Sequence, residues 1–323
     1  MGAPTPPVTG LSVLAVSPAT DWPGLTRELA AAPLPCVTVL VSDEPLPAAA
    51  APALEQADLT LAPDGPGRLT VPAGPGDLDR ITEACERFPG ATTTLTGLLR
   101  LGEHLDVAGG ITAEAHAYSA LLAGPEHASW LRARKPRRRR ADNEDAVILR
   151  REDDVLHLTL NRPEVHNAFG RALRDQLVNA LDLALLDDSV RSVVLRGAGP
   201  SFCSGGDLAE FGTTPDVITA MTVRISQSVG RRIARLGTRA TAHLHGACLG
   251  AGIELPAFAN TVTADRDARF QLPEIAMGLI PGAGGTMSIP RRIGRARTAW
   301  LALTGHHIDA KLAHAWGLVD ELT

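Results

Sequence analysis

Cysteine is scarce in this 323-residue chain, and its four copies, Cys36, Cys85, Cys203 and Cys248, follow no pattern. No spacing among them matches a zinc site or a disulfide framework, so they are expected to be reduced thiols, as in a cytoplasm. Long apolar runs are missing too, and with a mean hydropathy of +0.04 no membrane span is expected. The opening Met-Gly-Ala-Pro-Thr-Pro-Pro has neither a positive region nor a long apolar core, which speaks against a secretory signal. Gly2 is not followed by the serine or threonine at position six that myristoylation requires. Positive charge is in deficit: the formal net charge is −5, which argues against a nucleic-acid partner. Nucleotide-binding loops are lacking as well. Gly282-Ala-Gly-Gly-Thr286 has no Gly-Lys-Ser/Thr ending and is read as a loop that shapes a site. His306-His307 precedes a helical pattern with no carboxylate pair nearby and is read as a surface cap.

What is present suggests two domains, with the 45% hydrophobic and 21% charged composition of a globular protein. In residues 8–88 short apolar runs alternate with helical patterns. Leu11 to Val16 and Cys36 to Val41 are predicted strands, and Leu25 to Ala32 and Leu78 to Phe88 predicted helices. The Ala/Pro/Gly-rich stretch 45–76 reads as loop with one short helix. Leu95, Leu98, Leu99 and Leu105, then Ala117, Ala120, Leu121 and Leu122, fit amphipathic helices that lead to Trp130 and Leu131. Tyr118, the only tyrosine, and Trp130 have apolar bodies with polar tips, which favour half-buried contacts. These helices either complete the N-terminal core or pack over a pocket formed by the rest of the chain. Residues 1–131 are taken as an N-terminal α/β and helical domain. The run Arg132 to Arg140 and the acids after it are read as a solvated charged linker over 132–145.

Residues 146–323 form the second expected domain. Val147 to Arg150 and Val155 to Leu160 are predicted strands, and Leu173, Leu177, Leu181 and Leu185 mark a helix by their spacing of four. A strand over 190–195, a helix over about 217–236 and a strand over 240–245 continue the alternation of a layered α/β fold. Gly250-Ala251-Gly252 is a small-residue turn from strand to helix. Small residues let the backbone approach a ligand, and the first N–H groups of a helix suit an oxygen bearing negative charge. Ser201-Phe-Cys-Ser-Gly-Gly-Asp207 is a second such loop. Two N–H groups converging from them would form an oxyanion hole, each donor contributing about 2.7–4 kcal/mol in the transition state. Glu254 and Glu274 would then move protons on carbons beside the polarised carbonyl. Pro256 predicts a shifted or kinked helix start, because a proline past the first turn costs about 3 kcal/mol. Cys203 and Cys248 flank these loops as small packing residues.

The motifs recur in a familiar order: Asn161-Arg-Pro with His166-Asn167-Ala168, then Ser201 to Leu208, then His245-Gly-Ala-Cys-Leu-Gly-Ala-Gly-Ile-Glu-Leu255. Phe270-Gln-Leu-Pro-Glu-Ile275, Gly278 to Thr286, Leu303-Thr-Gly305 and Gly317-Leu-Val-Asp320 follow. On these blocks the chain, from about Val147 to Glu321, resembles the crotonase superfamily of enoyl-CoA hydratases and isomerases. The resemblance implies an α/β spiral of ββα units with oxyanion-hole donors at Gly206 and Ala251. It implies that Glu274 exchanges the proton at C2 and Glu254 directs water to C3. It also implies that coenzyme A lies against His166, Asn167, Ala168, Ser204, Gly205, Asp207, Leu208, Ala209 and Gly252, largely through backbone atoms. No cofactor or metal is expected, since coenzyme A arrives with the substrate. Relatives usually continue past Gly-Leu-Val-Asp into further helices that help close the acyl site and build a homo-oligomer, trimer or hexamer; something else is expected to cover that surface.

Overall fold

The structure, a computed structural model, describes residues 10–31, 36–135 and 145–323. The chain opens with β1 (Gly10–Ala15), α1 (Trp22–Ala31), β2 (Cys36–Val41), α2 (Ala51–Gln56) and β3 (Leu59–Leu61), which form a parallel sheet in the order β1-β2-β3. β3 lies inside the stretch expected to be loop. Its Leu-Thr-Leu is too short to show a period, and all three residues are buried beside β2. Four helices follow: α3 (Asp77–Arg87), α4 (Pro89–Gly102), α5 (Val107–Leu122) and α6 (Pro125–Ala133). Pro89 and Pro125 stand at helix starts, where a missing N–H costs nothing. Asp106 caps α5 by accepting from the Gly109 N–H at 2.7 Å. α6 runs two residues into the stretch read as linker; residues 136–144 of that stretch lie outside the described residues.

The second part comprises β4 (Val147–Glu152), β5 (Val155–Leu160), α7 (Arg171–Leu186), β6 (Ser192–Gly197), α8 (Val217–Ser226) and α9 (Val229–Leu236). Then come β7 (Ala240–Leu244), β8 (Ala247–Leu249), α10 (Ala251–Glu254), β9 (Thr261–Ala264), β10 (Arg269–Gln271), α11 (Gly285–Ile293) and α12 (Arg295–Thr304). β11 (Ile308–Asp309), α13 (Ala310–Trp316) and β12 (Glu321–Leu322) complete it. A six-stranded sheet has the order β12-β9-β7-β6-β5-β4 and is parallel except for the β4–β5 hairpin. β11, β10 and β8 form a second sheet. In each of two successive units, β7-β8 and β9-β10, the first strand joins the large sheet and the second the small one. The single helix expected over 217–236 is two helices. Ser228 interrupts it by accepting from the Arg231 N–H at 3.1 Å, which starts α9 afresh.

One hydrophobic core runs through both parts: Val37, Leu59, Leu95 and Leu99 belong to the same buried cluster as Leu158, Leu195, Trp300 and Leu301. α3 and α4 pack on α12, α4 and α5 on α11, and α5 on α8. Buried Asp77 of α3 accepts from Trp300 Nε1 and meets His306 Nε2, both at 2.8 Å. His306 is therefore not the surface cap expected. Its carboxylate partner lies 229 positions away in the chain, beyond any local reading.

Candidate active site

Parallel pairing decides which loops meet. β8 and β10 run side by side with Leu249 opposite Gln271, and the Gly250 N–H donates to the Gln271 carbonyl at 2.9 Å. The turns after these strands, Gly250-Ala251 and Pro273-Glu274, therefore leave at the same edge. Cys203 pairs with Cys248 in a parallel bridge, and the Leu249 N–H donates to the Cys203 carbonyl at 3.0 Å, so the 203–206 loop joins them there. Contact is close enough to require glycine. Gly250 has φ +50°, and a Cβ on it would overlap Glu274 Oε1 and stand 3.6 Å from Gly205 Cα. Among the described residues, neither the Gly206 N–H nor the Ala251 N–H donates to a protein acceptor.

α10 is one turn long. Pro256 has no N–H to return to the Gly252 carbonyl, so the helix ends at Glu254 and a 3₁₀ turn, Pro256–Phe258, takes over. The expected shift of the helix start is thus a truncation of its end. With so short a helix the macrodipole is small, and stabilisation of an anion here falls to individual N–H groups.

Both expected acids are buried, Glu254 at 2% and Glu274 at 8% exposure. Glu254 Oε2 accepts from the Ala283 N–H at 2.7 Å and the Gly285 N–H at 2.9 Å, at the start of α11. Glu274 Oε2 is buried with no partner among the described residues. A third carboxylate, unforeseen in the sequence, enters from α5. Glu114, 2% exposed, accepts the Gly284 N–H on Oε1 at 2.7 Å, and on Oε2 the Thr286 N–H at 3.0 Å and hydroxyl at 2.6 Å. Four successive N–H groups of the 283–286 loop thus alternate between Glu254 and Glu114. Burial lifts the Glu274 carboxyl to about 8 and the Glu114 carboxyl to about 7. Burial, then repulsion from Glu274 and Glu114, holds Glu254 well above the usual range. One signal was available: Glu114 shares the helical face of Ile111, Ala115 and Tyr118, where an acid is out of place.

The residues expected against coenzyme A lie together, yet several side chains serve the scaffold. Asn167, fully buried, accepts the Arg162 N–H at 2.8 Å and donates to the Ala198 and Ser201 carbonyls at 2.9 and 2.8 Å. Asp207 meets Arg162 Nη1 at 3.1 Å and accepts the Ala209 N–H at 3.0 Å; the Ala168 carbonyl takes the same Arg162 Nη1 at 3.3 Å. His166 Nδ1 lies 3.0 Å from Ser201 Oγ, and the Ser204 N–H donates to the His166 carbonyl at 2.9 Å. Arg134, expected in the solvated run, donates to the Leu208 carbonyl at 2.5 Å and the Phe211 carbonyl at 3.1 Å. Phe169 pairs with Gly206 in a parallel bridge. Beyond them a cleft is lined by Ile111, Glu114, Phe169, Arg174, Arg224, Leu255 and Gly282 to Gly284. Tyr118 of α5 packs on Gly282, with the Arg224 guanidinium 4.0 Å over its ring. The helices before residue 131 therefore lie on the loops of the second part as well as completing their own core. Among the described residues no His, Cys, Asp and Glu cluster is placed to hold a metal, and no helix is long and apolar enough to cross a membrane.

Comparison with known proteins matches residues 150–323 to the enoyl-CoA hydratase/isomerase family. A 1,2-epoxyphenylacetyl-CoA isomerase of Escherichia coli is 39% identical over 174 residues, covering 52% of this chain and 66% of that protein. A 2,3-dehydroadipyl-CoA hydratase of the same species is 38% identical over 176 residues, covering 54% and 68%. The crystal structure of an enoyl-CoA hydratase from Mycobacterium smegmatis superposes with a TM-score of 0.52 at 33% identity, over 56% of this chain and 70% of its own. The chain spans about two thirds of the length of these curated relatives.

Proposed function

The chain belongs to the enoyl-CoA hydratase/isomerase family, and from that premise we propose that it adds water to a 2-enoyl-CoA thioester, or removes it in reverse. The observation that carries this reading is that two buried acids, Glu254 and Glu274, stand on adjoining loops with the N–H groups of Gly206 and Ala251, which donate to no protein acceptor among the described residues. The N–H groups hold the thioester oxygen and stabilise the charge that develops on it as an enolate forms. Glu254 orients the water and takes one of its protons as its oxygen adds at C3, and Glu274, protonated at neutral pH, delivers its own proton to C2. The acyl part lies along the apolar side of the cleft, against Ile111, Phe169 and Leu255. Coenzyme A runs over 166–168 and 204–209, touching mainly backbone, because the side chains of Asn167 and Asp207 hold the two loops together. In this reading the enzyme is a lyase, acts as a homo-oligomer in the cytoplasm, and uses 146–323 as its catalytic unit.

A second reading, double-bond isomerisation, draws on one detail: Glu254 Oε2 is held by two N–H groups whereas Glu274 Oε2 has no partner among the described residues, an asymmetry that suits a single mobile acid. The test is incubation with crotonyl-CoA and with longer and aromatic enoyl-CoAs, followed by mass spectrometry. Hydration gives a product heavier by one water. A product of unchanged mass with a moved double bond supports isomerisation, and no product with any substrate overturns both.

A further inference from the structure

We propose that Glu114, brought from the N-terminal helical region by α5, is a positioning residue of the acid–base site: as the ionised member of a buried three-carboxylate cluster, it fixes the loop that holds Glu254 and keeps a proton on the Glu254–Glu274 pair. The inference rests on the hydratase reading for its kinetic consequence, but its structural content stands apart from it.

Two observations carry it. The first is geometric. The N–H groups at 283, 284, 285 and 286 point alternately at Glu254, Glu114, Glu254 and Glu114, so the loop's position is set by both carboxylates together. Moving one shifts the donors of the other. The second concerns charge. Glu114 receives two backbone N–H groups and one hydroxyl, all within 3.0 Å. Backbone N–H groups only donate, so a proton on Glu114 would have no acceptor among its partners except a reversed Thr286 hydroxyl. Glu274 Oε2 has no donor at all among the described residues. The proton therefore belongs on the pair and the negative charge on Glu114. In keeping with this, burial lifts Glu114 less far than Glu274.

The charged and titratable groups around the cluster agree. Arg224 of α8 pulls Glu114 towards its ionised form, and Arg174 of α7 stands at the cleft rim, paired with Asp175 at 2.7 Å. Tyr118, one turn along α5, and Cys203, beside the oxyanion loop, are both pushed up to about 12 by burial and stay neutral. Of the three carboxyls in the cluster, Glu114 and Glu274 are lifted to about 7 and about 8, and Glu254 is held well above the usual carboxylate range.

The experiment is a carbon-13 NMR titration of the glutamate carboxyls in the full chain, with Glu254 and Glu274 assigned through their glutamine variants, repeated on Glu114→Gln and on Thr286→Val. Thr286→Val keeps the carboxylate and removes only its hydroxyl donor, so it serves if Glu114→Gln does not fold. In Glu114→Gln the negative charge facing the pair is gone, and the pair's titration moves down by about one pH unit. In Thr286→Val Glu114 loses a donor to its ionised form, so its own carboxyl titrates higher and the pair moves down by less. The pH profile of kcat moves in the same direction, and kcat for Glu114→Gln falls up to about 100-fold because the loop is displaced, with a smaller change in KM. Unmoved titration of the pair in a folded variant overturns the proposal, since a merely structural role changes stability and leaves those carboxyls where they were. Absence of turnover with every enoyl thioester defeats the hydratase reading, while the titration still decides the role of Glu114.

Discussion

Replacing Glu254 by glutamine isolates its proton chemistry at almost constant shape. Glu254 Oε2 accepts two N–H groups, from Ala283 and Gly285, at 2.7 and 2.9 Å. An amide oxygen can accept both, with the NH₂ in place of Oε1, so the 283–286 loop keeps its anchor. Burial disfavours the charged carboxylate, so the neutral variant is expected to fold at least as stably. What it loses is the ability to take a proton from water. General acid–base groups contribute about 10²–10⁴ in rate, which converts to about 2.7–5.4 kcal/mol on the barrier. The assay follows loss of the conjugated enoyl thioester at saturating substrate, with calorimetric binding of a saturated acyl-CoA in parallel. Turnover should fall by that factor while the saturated thioester binds as before. A variant that keeps turnover within about tenfold of the parent falls below the range for a working base and removes Glu254 from the chemistry. A parent with binding but no turnover, unchanged by the substitution, marks a non-catalytic acyl-CoA-binding protein.

Further expectations follow from the same geometry. Glu274 has a folded-state carboxyl raised from 4.5 to about 8, so its protonated form favours folding. That contribution is whole below about pH 4.5 and is lost as the pH rises through about 8, where charging a buried acid opposes folding. The parent's melting temperature should therefore drop between these limits more steeply than that of Glu274→Gln; parallel curves refute the assignment. Gly250→Ala places a methyl group on Glu274 Oε1 at a position with φ +50°, and should destabilise the fold by about 1–3 kcal/mol and depress kcat more than KM. Gly282→Ala drives a methyl group into the Tyr118 ring and should cost about 1–3 kcal/mol by overpacking. Adding Tyr118→Ala should recover part of that loss in thermal melts, and strict additivity of the two changes argues that the α5 contact is absent in solution.

Much of the second part was legible because its determinants are local. Leu173, Leu177 and Leu181 are buried on α7 as their spacing requires, and Glu254 and Glu274, singled out by their motifs, are both buried. Two features decided by distant partners were not legible. Glu114 acquires its role from N–H groups 170 and 172 positions away, and His306 its partner from α3. β3 was hidden by its brevity, and the break before α9 by a helical pattern that continues on both sides of Ser228. Arg134 was lost in a run of like charges. Its neighbours gave no hint that one guanidinium would hold the 208–211 loop.

The central claim is that two backbone donors and two acids act together on one enoyl thioester, and its most direct test is isotopic. Crotonyl-CoA is incubated with the protein in water enriched in deuterium and oxygen-18, and the product is read by mass spectrometry and NMR. The account predicts a 3-hydroxyacyl thioester carrying solvent oxygen at C3 and one solvent deuteron at C2, with one stereochemistry at each carbon. Unchanged crotonyl-CoA, or deuterium without oxygen incorporation and a displaced double bond, contradicts it.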